Sequence, residues 1–196
     1  MNETGISPVT LEGEAVRLEA LGQVHAQGLF VRGRHTPDWA YMPRGCFVDL
    51  ADTRQWIDEA IAEPRQLAFA IVETGKNKVA GSTRYLNHRP EHCSVEIGWT
   101  WLGPDWQRTM VNTEAKLLLL EHAFERLGCV RVEFKTDARN LRSQRSLERI
   151  GATREGVLRQ HMIVQDDVLR DSVYFSVLDK EWPDVRERLA LLLDRG

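Results

Sequence analysis

The sequence predicts a mixed α/β (α+β) fold, a mostly antiparallel sheet of about six or seven strands with helices on both faces. Three observations lead there. First, residues 94–128 read as strand, loop and helix. Val95, Ile97, Trp99 and Trp101 alternate with Glu96, Gly98 and Thr100, the period-2 pattern of a strand with one buried face. Gly103, Pro104 and Asp105 end it, and from Ala115 to Leu127 apolar residues cover more than one helical face. Second, the full order runs hairpin, strand, helix, strand, helix, hairpin, which mixes both strand orientations in one sheet. Third, 196 residues with 42% hydrophobic and 28% charged content fit a single domain, 1–196, with enough chain to bury a core.

Val16 to Leu21 is the first strand, and Gly22 to Arg32 has looser helical spacing at Val24, Leu29 and Phe30. Residues 33–50 hold two prolines, two glycines and three aromatics. They form an ordered irregular segment that either lines a pocket or packs as a surface loop. Asp52 caps a helix through Glu63, with Gln55 at the reciprocal capping-box position and Trp56, Ile57, Ala60 and Ile61 as its stripe. Pro64 marks its end. Leu67 to Glu73 and Val79 to Leu86 are a hairpin about Gly75–Lys78. After the central strand, Asn112 and Thr113 are N-cap residues for the apolar helix and Gly128 is its stop. Arg131 to Thr136 is a short strand. Asn140 caps a helix to Ile150, ended by Gly151. Residues 157–164 and 173–178 pair about the turn 165–167. Pro183 opens a last helix with Trp182, Val185, Leu189 and Leu192 as its stripe.

Composition bounds the function. The net charge of −3 gives no overall basic field for nucleic acid, and suits a cationic or neutral substrate only weakly. The arginines from Arg139 to Arg149 have no interleaved aromatic platform for bases. No stretch reaches the apolar length of a membrane helix, and MNETGISPVTLEGE lacks the basic and apolar regions of a signal peptide. Cys46, Cys93 and Cys129 are odd in number and widely separated, which suggests a reducing cytoplasm rather than a disulfide framework. His88, His92 and Cys93 lack a fourth ligand, so no metal is expected.

The loop 107–112, Gln-Arg-Thr-Met-Val-Asn, sits where a strand's carboxyl end meets a helix N-terminus. Unbonded leading amides and the macrodipole make that a ready anion site, with Arg108 as an added cation. An ordinary βα connection with one solvated arginine is the alternative. Glu114, in the first helical turn, must point away from any phosphate bound there.

The run Leu102-Gly-Pro-Asp-Trp-Gln107…Asn112-Thr-Glu-Ala115, and Asn140-Leu-Arg-Ser143…Leu147-Glu-Arg-Ile-Gly-Ala152 after it, resemble the GNAT superfamily of acetyl-CoA-dependent N-acetyltransferases. Arg154-Glu-Gly-Val-Leu-Arg159, Arg170-Asp171 and Glu181-Trp-Pro183 resemble its RimJ/RimL branch, which acetylates ribosomal-protein N-termini. The resemblance implies the GNAT fold and a direct attack of an amine on the acetyl-CoA thioester. It implies pyrophosphate over Gln107, Arg108, Thr109, Met110, Val111, Asn112 and Thr113, and pantetheine along the Trp101 and Leu102 backbone and at Asn140. Glu96 is the implied base, directly or through a water; a merely solvated strand carboxylate is the alternative. Arg142, Arg145 and Arg149 share one helix side, and Arg145 is the choice to reach cofactor phosphate, against a simply solvated basic face.

Two departures from the family pattern stand out. Met110 and Asn112 occupy the small-residue positions of its pyrophosphate loop, and Leu147 stands where many members carry a tyrosine that protonates the thiolate. Ser143 is the substitute donor expected here, against a plain role in the first helical turn. The expected partner is an amine-bearing acceptor, either a protein N-terminus or a small molecule, with no nucleic acid and no membrane. Acceptor specificity is expected in residues 30–50, 85–92 and 159–170. A CoA-binding sensor without turnover is the competing function. A homodimer is compatible with the chain, but no motif specifies one.

Overall fold

A single sheet runs β1 (Leu11–Glu12), β2 (Val16–Ala20), β3 (Leu67–Glu73), β4 (Lys78–Arg89), β5 (Ser94–Leu102), β6 (Arg131–Asp137), then β8 (Leu169–Leu178) and β7 (Thr153–Ile163) at the far edge. The β5–β6 pair is parallel and the others are antiparallel. The computed structural model describes residues 6–34 and 37–194 and all side chains there except that of Asp38. The first five residues of the N-terminal reading, and His35 and Thr36 of the irregular segment, lie outside them.

Five helices cover the sheet: α1 (Ala26–Gly33), α2 (Leu50–Ala62), α3 (Val111–Glu121), α4 (Leu141–Ile150) and α5 (Trp182–Leu193). They divide the core in two. Leu119 and Leu120 of α3, Leu147 and Ile150 of α4 and Val185 and Leu189 of α5 pack with Val95, Ile97, Val132 and Phe134 of the sheet. Leu29, Trp56 and Ile57 of α1 and α2 pack with Trp39, Phe47 and Trp101 on the opposite face. The sheet has eight strands, one or two more than expected, because β1 is only two residues long and carries no pattern. At the other edge β7 begins four residues before the predicted Val157. Its outward positions are mostly exposed and polar, which hides an edge strand from a hydrophobicity pattern.

Capping corrects two helix starts. α2 is capped by Asp49, whose carboxylate accepts from Asp52 N at 2.8 Å. Asp52 stands inside the first turn and binds Arg44 instead. α3 is capped by Met110 without a side-chain bond, and Asn112 and Thr113 lie within its first turn. Two predicted core positions, Val24 and Ile61, are exposed at 85% and 56%. α3 passes into one π-helical turn, His122–Arg126, before Gly128 stops it at φ 66°.

The decisive irregularity is in β5. Arg84 pairs with Gly98 and Ser82 with Trp101, so Thr83 alone faces both Trp99 and Thr100. This is a bulge, with Trp99 at φ 50°. It reverses the inward parity of the strand. Trp101, predicted to share a face with Val95 and Ile97, turns to the other face and packs 5.3 Å from Trp39 and 5.8 Å from Phe47. Arg84 holds the bulge, its guanidinium 4.7 Å from both the Trp56 and the Trp99 rings. Gly81 is required opposite, since a Cβ there would strike the Trp101 carbonyl.

Candidate active site

β5 and β6 pair only at Ser94–Arg131, Val95–Val132 and Glu96–Glu133. Beyond the third pair the bulge turns β5 away, and the two parallel strands part. A cleft of about 1080 Å³ opens between them. Its walls are residues 97–102 of β5, 134–137 of β6, the loop 105–110, the first turn of α3 and one side of α4. Tyr41 and Met42 of the irregular segment, and Arg170 of β8, close one end. The Gln165 amide holds that segment by donating to the carbonyls of Trp39, Met42 and Arg44 at 2.6–2.9 Å.

The predicted positions Trp101, Leu102, Gln107, Arg108, Thr109, Met110, Val111, Asn112, Thr113, Asn140, Ser143 and Arg145 all line this cleft, and Glu96 does not. Trp101 contributes backbone, because its indole is buried in the aromatic cluster on the far face. Of the segments expected to read an acceptor, Tyr41, Met42 and Arg170 reach the cleft and residues 85–92 do not. Among the described residues its wall carries eight basic side chains (Lys76, Arg108, Lys116, Lys135, Arg142, Arg145, Arg149, Arg170) and three acidic ones (Glu73, Asp105, Asp137), in a chain of net charge −3. Charge is sorted into the cleft, which attracts anions there.

The loop resolves the question raised by its missing glycines. Met110 has φ −66° and ψ −19°, ordinary right-handed helical backbone that any side chain adopts. The left-handed position is Arg108, at φ 62°. Asn112 turns its amide to Ser146 Oγ at 3.4 Å, tying α3 to α4. Thr109 Oγ1 accepts from Val111 N at 3.3 Å. Gln107 donates to the Leu102 carbonyl at 2.9 Å and accepts from Arg142 at 3.0 Å, so it braces strand, loop and α4. Glu114 points away, as the phosphate reading needs: its carboxylate accepts from the amides of Glu14, Ala15 and Val16 at 2.7–2.8 Å.

On α4, the Asn140 side chain accepts from Ser143 N at 3.0 Å, the expected cap. Arg149 donates to Thr113 Oγ1 at 2.7 Å. Arg145 makes no hydrogen bond or ion pair among the described residues. Glu96 is 2% exposed, which removes the solvated-carboxylate alternative. It accepts from Asn87 Nδ2 at 2.8 Å, and Lys135 Nζ lies 3.4 Å from both of its oxygens. It lies just behind Gly98 and Lys135, which do face the cleft.

Sequence reasoning missed Asp137 and Lys116 as buried charges on the cleft wall, and placed Arg170 in a family motif and an acceptor-reading segment without its burial. Asp137 ends β6 and accepts from the Arg139 amide and guanidinium at 2.6–2.9 Å. Burial works against its ionisation, yet these bonds hold its pKa below the usual carboxylate value. Burial lowers the pKa of Arg170, whose Nη1 donates to the Tyr41 carbonyl at 3.2 Å. Lys116 of α3 is buried, and burial pulls its pKa down to about 7. A signal for Lys116 was present, since it interrupts a helix whose apolar residues wrap more than one face.

Residues 16–153 match the family model described as an acetyltransferase (GNAT) domain. The chain belongs to the GNAT family of acetyltransferases. It is 25% identical over 142 residues to the "Uncharacterized N-acetyltransferase YnaD" of Bacillus subtilis (strain 168), covering 72% of this chain and 81% of that one. It is 34% identical over 88 residues to the "Putative ribosomal N-acetyltransferase YdaF" of the same organism, covering 45% of this chain and 47% of that one. A crystal structure of a GCN5-related N-acetyltransferase from Brucella melitensis superposes with a TM-score of 0.91 at 32% identity, over 96% of this chain and 87% of that one. This GNAT chain is therefore an N-acetyltransferase. Among its described residues no group of three His, Cys, Asp or Glu could hold a metal ion. No described helix is long and apolar enough to cross a membrane.

Proposed function

We propose that the chain transfers the acetyl group of acetyl-CoA to a primary amine by direct attack in a ternary complex. The observation that carries this reading is the parted β5–β6 cleft, which leads from a helix N-terminus with surplus positive charge to a buried carboxylate. The leading amides of α3, with Arg108 and Arg145, fit the phosphates. The backbone at Trp101 and Leu102 fits the pantetheine arm and polarises the thioester carbonyl. Asn140 contacts that arm as well as capping α4. Glu96 takes a proton from the acceptor ammonium through a water, since it lies behind the cleft wall rather than on it. The amine attacks the carbonyl carbon, the C–S bond breaks, and the thiolate takes a proton to leave as CoA. The acceptor is a protein N-terminus or a small amine. The RimJ/RimL resemblance and the ribosomal name of one relative favour the former, and the chemistry assigns the reaction to the cytoplasm, where acetyl-CoA is made and used.

Two measurements test the assignment. Acetyl-CoA at about 100 times its dissociation constant adds roughly 2.7 kcal/mol of stability, or about 5–10 °C in melting temperature for a chain of this size. Thiol release with a panel of amines and peptide N-termini then separates an enzyme from a sensor that binds CoA without turnover. An unchanged melting temperature at millimolar acetyl-CoA overturns the cofactor assignment.

With Leu147 buried at the usual tyrosine position, Ser143 is the hydroxyl proposed to assist the thiolate. Its amide already serves the Asn140 cap, which leaves the hydroxyl for the cleft. Ser143→Ala is expected to reduce turnover tenfold or more with little change in melting temperature. If stability alone falls, by about 1 kcal/mol or less, Ser143 is structural.

A further inference from the structure

Lys116 has an arrangement that stability alone does not explain. Its residue is 6% exposed, and its Nζ donates to Thr100 Oγ1 at 2.8 Å. Thr100 in turn shares a hydrogen bond with Thr83 Oγ1 at 2.8 Å, and the Phe134 ring lies 5.9 Å from the ammonium. Buried lysines are ordinarily paired with a carboxylate. Here no acidic side chain lies within ion-pair distance among the described residues. An ammonium has three N–H donors, and the structure uses one. The two threonine hydroxyls could satisfy each other without it. The side chain instead lines the cleft, between the bulge in β5 and the first residues of β6 past the point where the strands part.

We propose that Lys116 is a cofactor-binding donor, whose ammonium hydrogen-bonds a carbonyl oxygen of the acyl-pantetheine arm where it crosses the floor of the cleft. This rests on the acetyl-CoA reading above and goes beyond it. From β5 the amine meets the Thr100 hydroxyl, itself bonded to Thr83 of β4, and from β6 an aromatic ring. Among the described residues the other ionisable groups lining the cleft are Arg142, Arg145 and Arg149 on α4, Arg108 and Asp105 in the loop, Lys135 and Asp137 on β6, Arg170 on β8, Glu73 and Lys76 at the β3–β4 hairpin, and Tyr41. None of them sets its pKa; burial alone lowers it to about 7. A carbonyl acceptor favours the charged form and raises that pKa in the complex. The sign follows from linkage. Binding takes up protons near neutral pH, affinity is full below pH 7, and it falls tenfold per pH unit above 7 until the pKa of the complex is reached.

Calorimetric titration at pH 6–8.5, in buffers of different ionisation enthalpy, reads this directly. The two probes are acetyl-CoA and the β-methyl ester of 3′-phosphoadenosine 5′-diphosphate, a nucleotide that carries the same phosphate ionisations without the pantetheine arm. Wild type is expected to take up about half a proton more with acetyl-CoA than with the nucleotide at pH 7. Lys116→Met is expected to abolish that difference and flatten the affinity profile. Equal proton uptake with both probes overturns the inference and leaves the cofactor reading standing, as does a Lys116→Met protein that keeps the wild-type pH dependence. If the variant fails to fold, the two-probe comparison on wild type decides alone. If acetyl-CoA does not bind at any pH, the cofactor reading falls and takes this inference with it.

Discussion

Glu96→Gln is expected to lower turnover about 10²–10⁴-fold, the range for loss of a general base, while acetyl-CoA affinity stays within a few-fold of wild type. The substitution preserves shape in a position that is 2% exposed and keeps an acceptor for Asn87 Nδ2. It removes only the charge. Lys135 loses its partner, but its side chain is 18% exposed on the cleft wall and can recruit water, so the fold should tolerate the change. Glu96 does not line the cleft proposed to hold the cofactor, which is why binding and turnover should separate. The defect should shrink as pH rises toward the pKa of the acceptor amine, because an amine already neutral needs no base. Steady-state turnover at saturating acetyl-CoA, measured from neutral to alkaline pH beside a thermal melt, tests all three parts. A variant within a few-fold of wild type throughout would remove Glu96 from the mechanism and leave it a partner for Lys135 in the sheet.

The elements were legible where one face of a segment is buried and the other is wet. β3 was predicted residue for residue, and the cleft-lining loop was found because a strand end, a Gly-Pro break and a helix start are all local signals. What the pattern could not show were effects that depend on a neighbouring strand. The bulge at Trp99 is created by the pairing of β5 with β4, so Trp101 reads as continuing an alternation that the structure reverses. The same reversal parts β5 from β6 and makes the site. Asp49 was passed over as a cap because Asp52 sits three residues later with a suitable Gln55. The choice between them is settled by backbone that is extended at Asp49, at φ −151°. The burial of Lys116 and Arg170 beside the cleft was not legible, since a single sequence does not reveal that a helix face and a strand end meet across a gap. Leu147 and the Met110 loop looked like defects against the family pattern. In the structure the loop's left-handed backbone falls on Arg108, so glycine is not needed at either 110 or 112.

Glu114→Ala is expected to cost the most stability of any single change considered, about 3–5 kcal/mol. The residue is 6% exposed, and its carboxylate caps the start of β2: Oε1 accepts from Glu14 N, and Oε2 from both Ala15 N and Val16 N. Alanine leaves those donors without acceptors, at about 1–3 kcal/mol for each that water cannot reach. Val16 is fully buried, whereas Glu14 is partly exposed and rehydrates, so the sum falls short of three full penalties. For 196 residues the melting temperature should drop by about 10–15 °C. Glu114→Gln should recover only part of this, because its amide turns one acceptor oxygen into a donor facing another donor. Gly13→Ala approaches the same contact from the opposite side, since a Cβ there would sit 2.7 Å from the Glu114 carboxyl carbon. It should destabilise as well, by displacing the carboxylate rather than removing it. Thermal melts of the three variants decide the matter. Losses below about 1 kcal/mol for both alanine and glutamine would mean that water replaces the carboxylate and that the strand is held by its pairing with β3. Retained turnover at low temperature in Glu114→Ala is the companion expectation, because the carboxylate points away from the cleft. That direction is what lets an acidic residue occupy the first turn of a helix whose other side is proposed to bind phosphate. Its negative charge complements the helix dipole while its oxygens are spent on the strand behind.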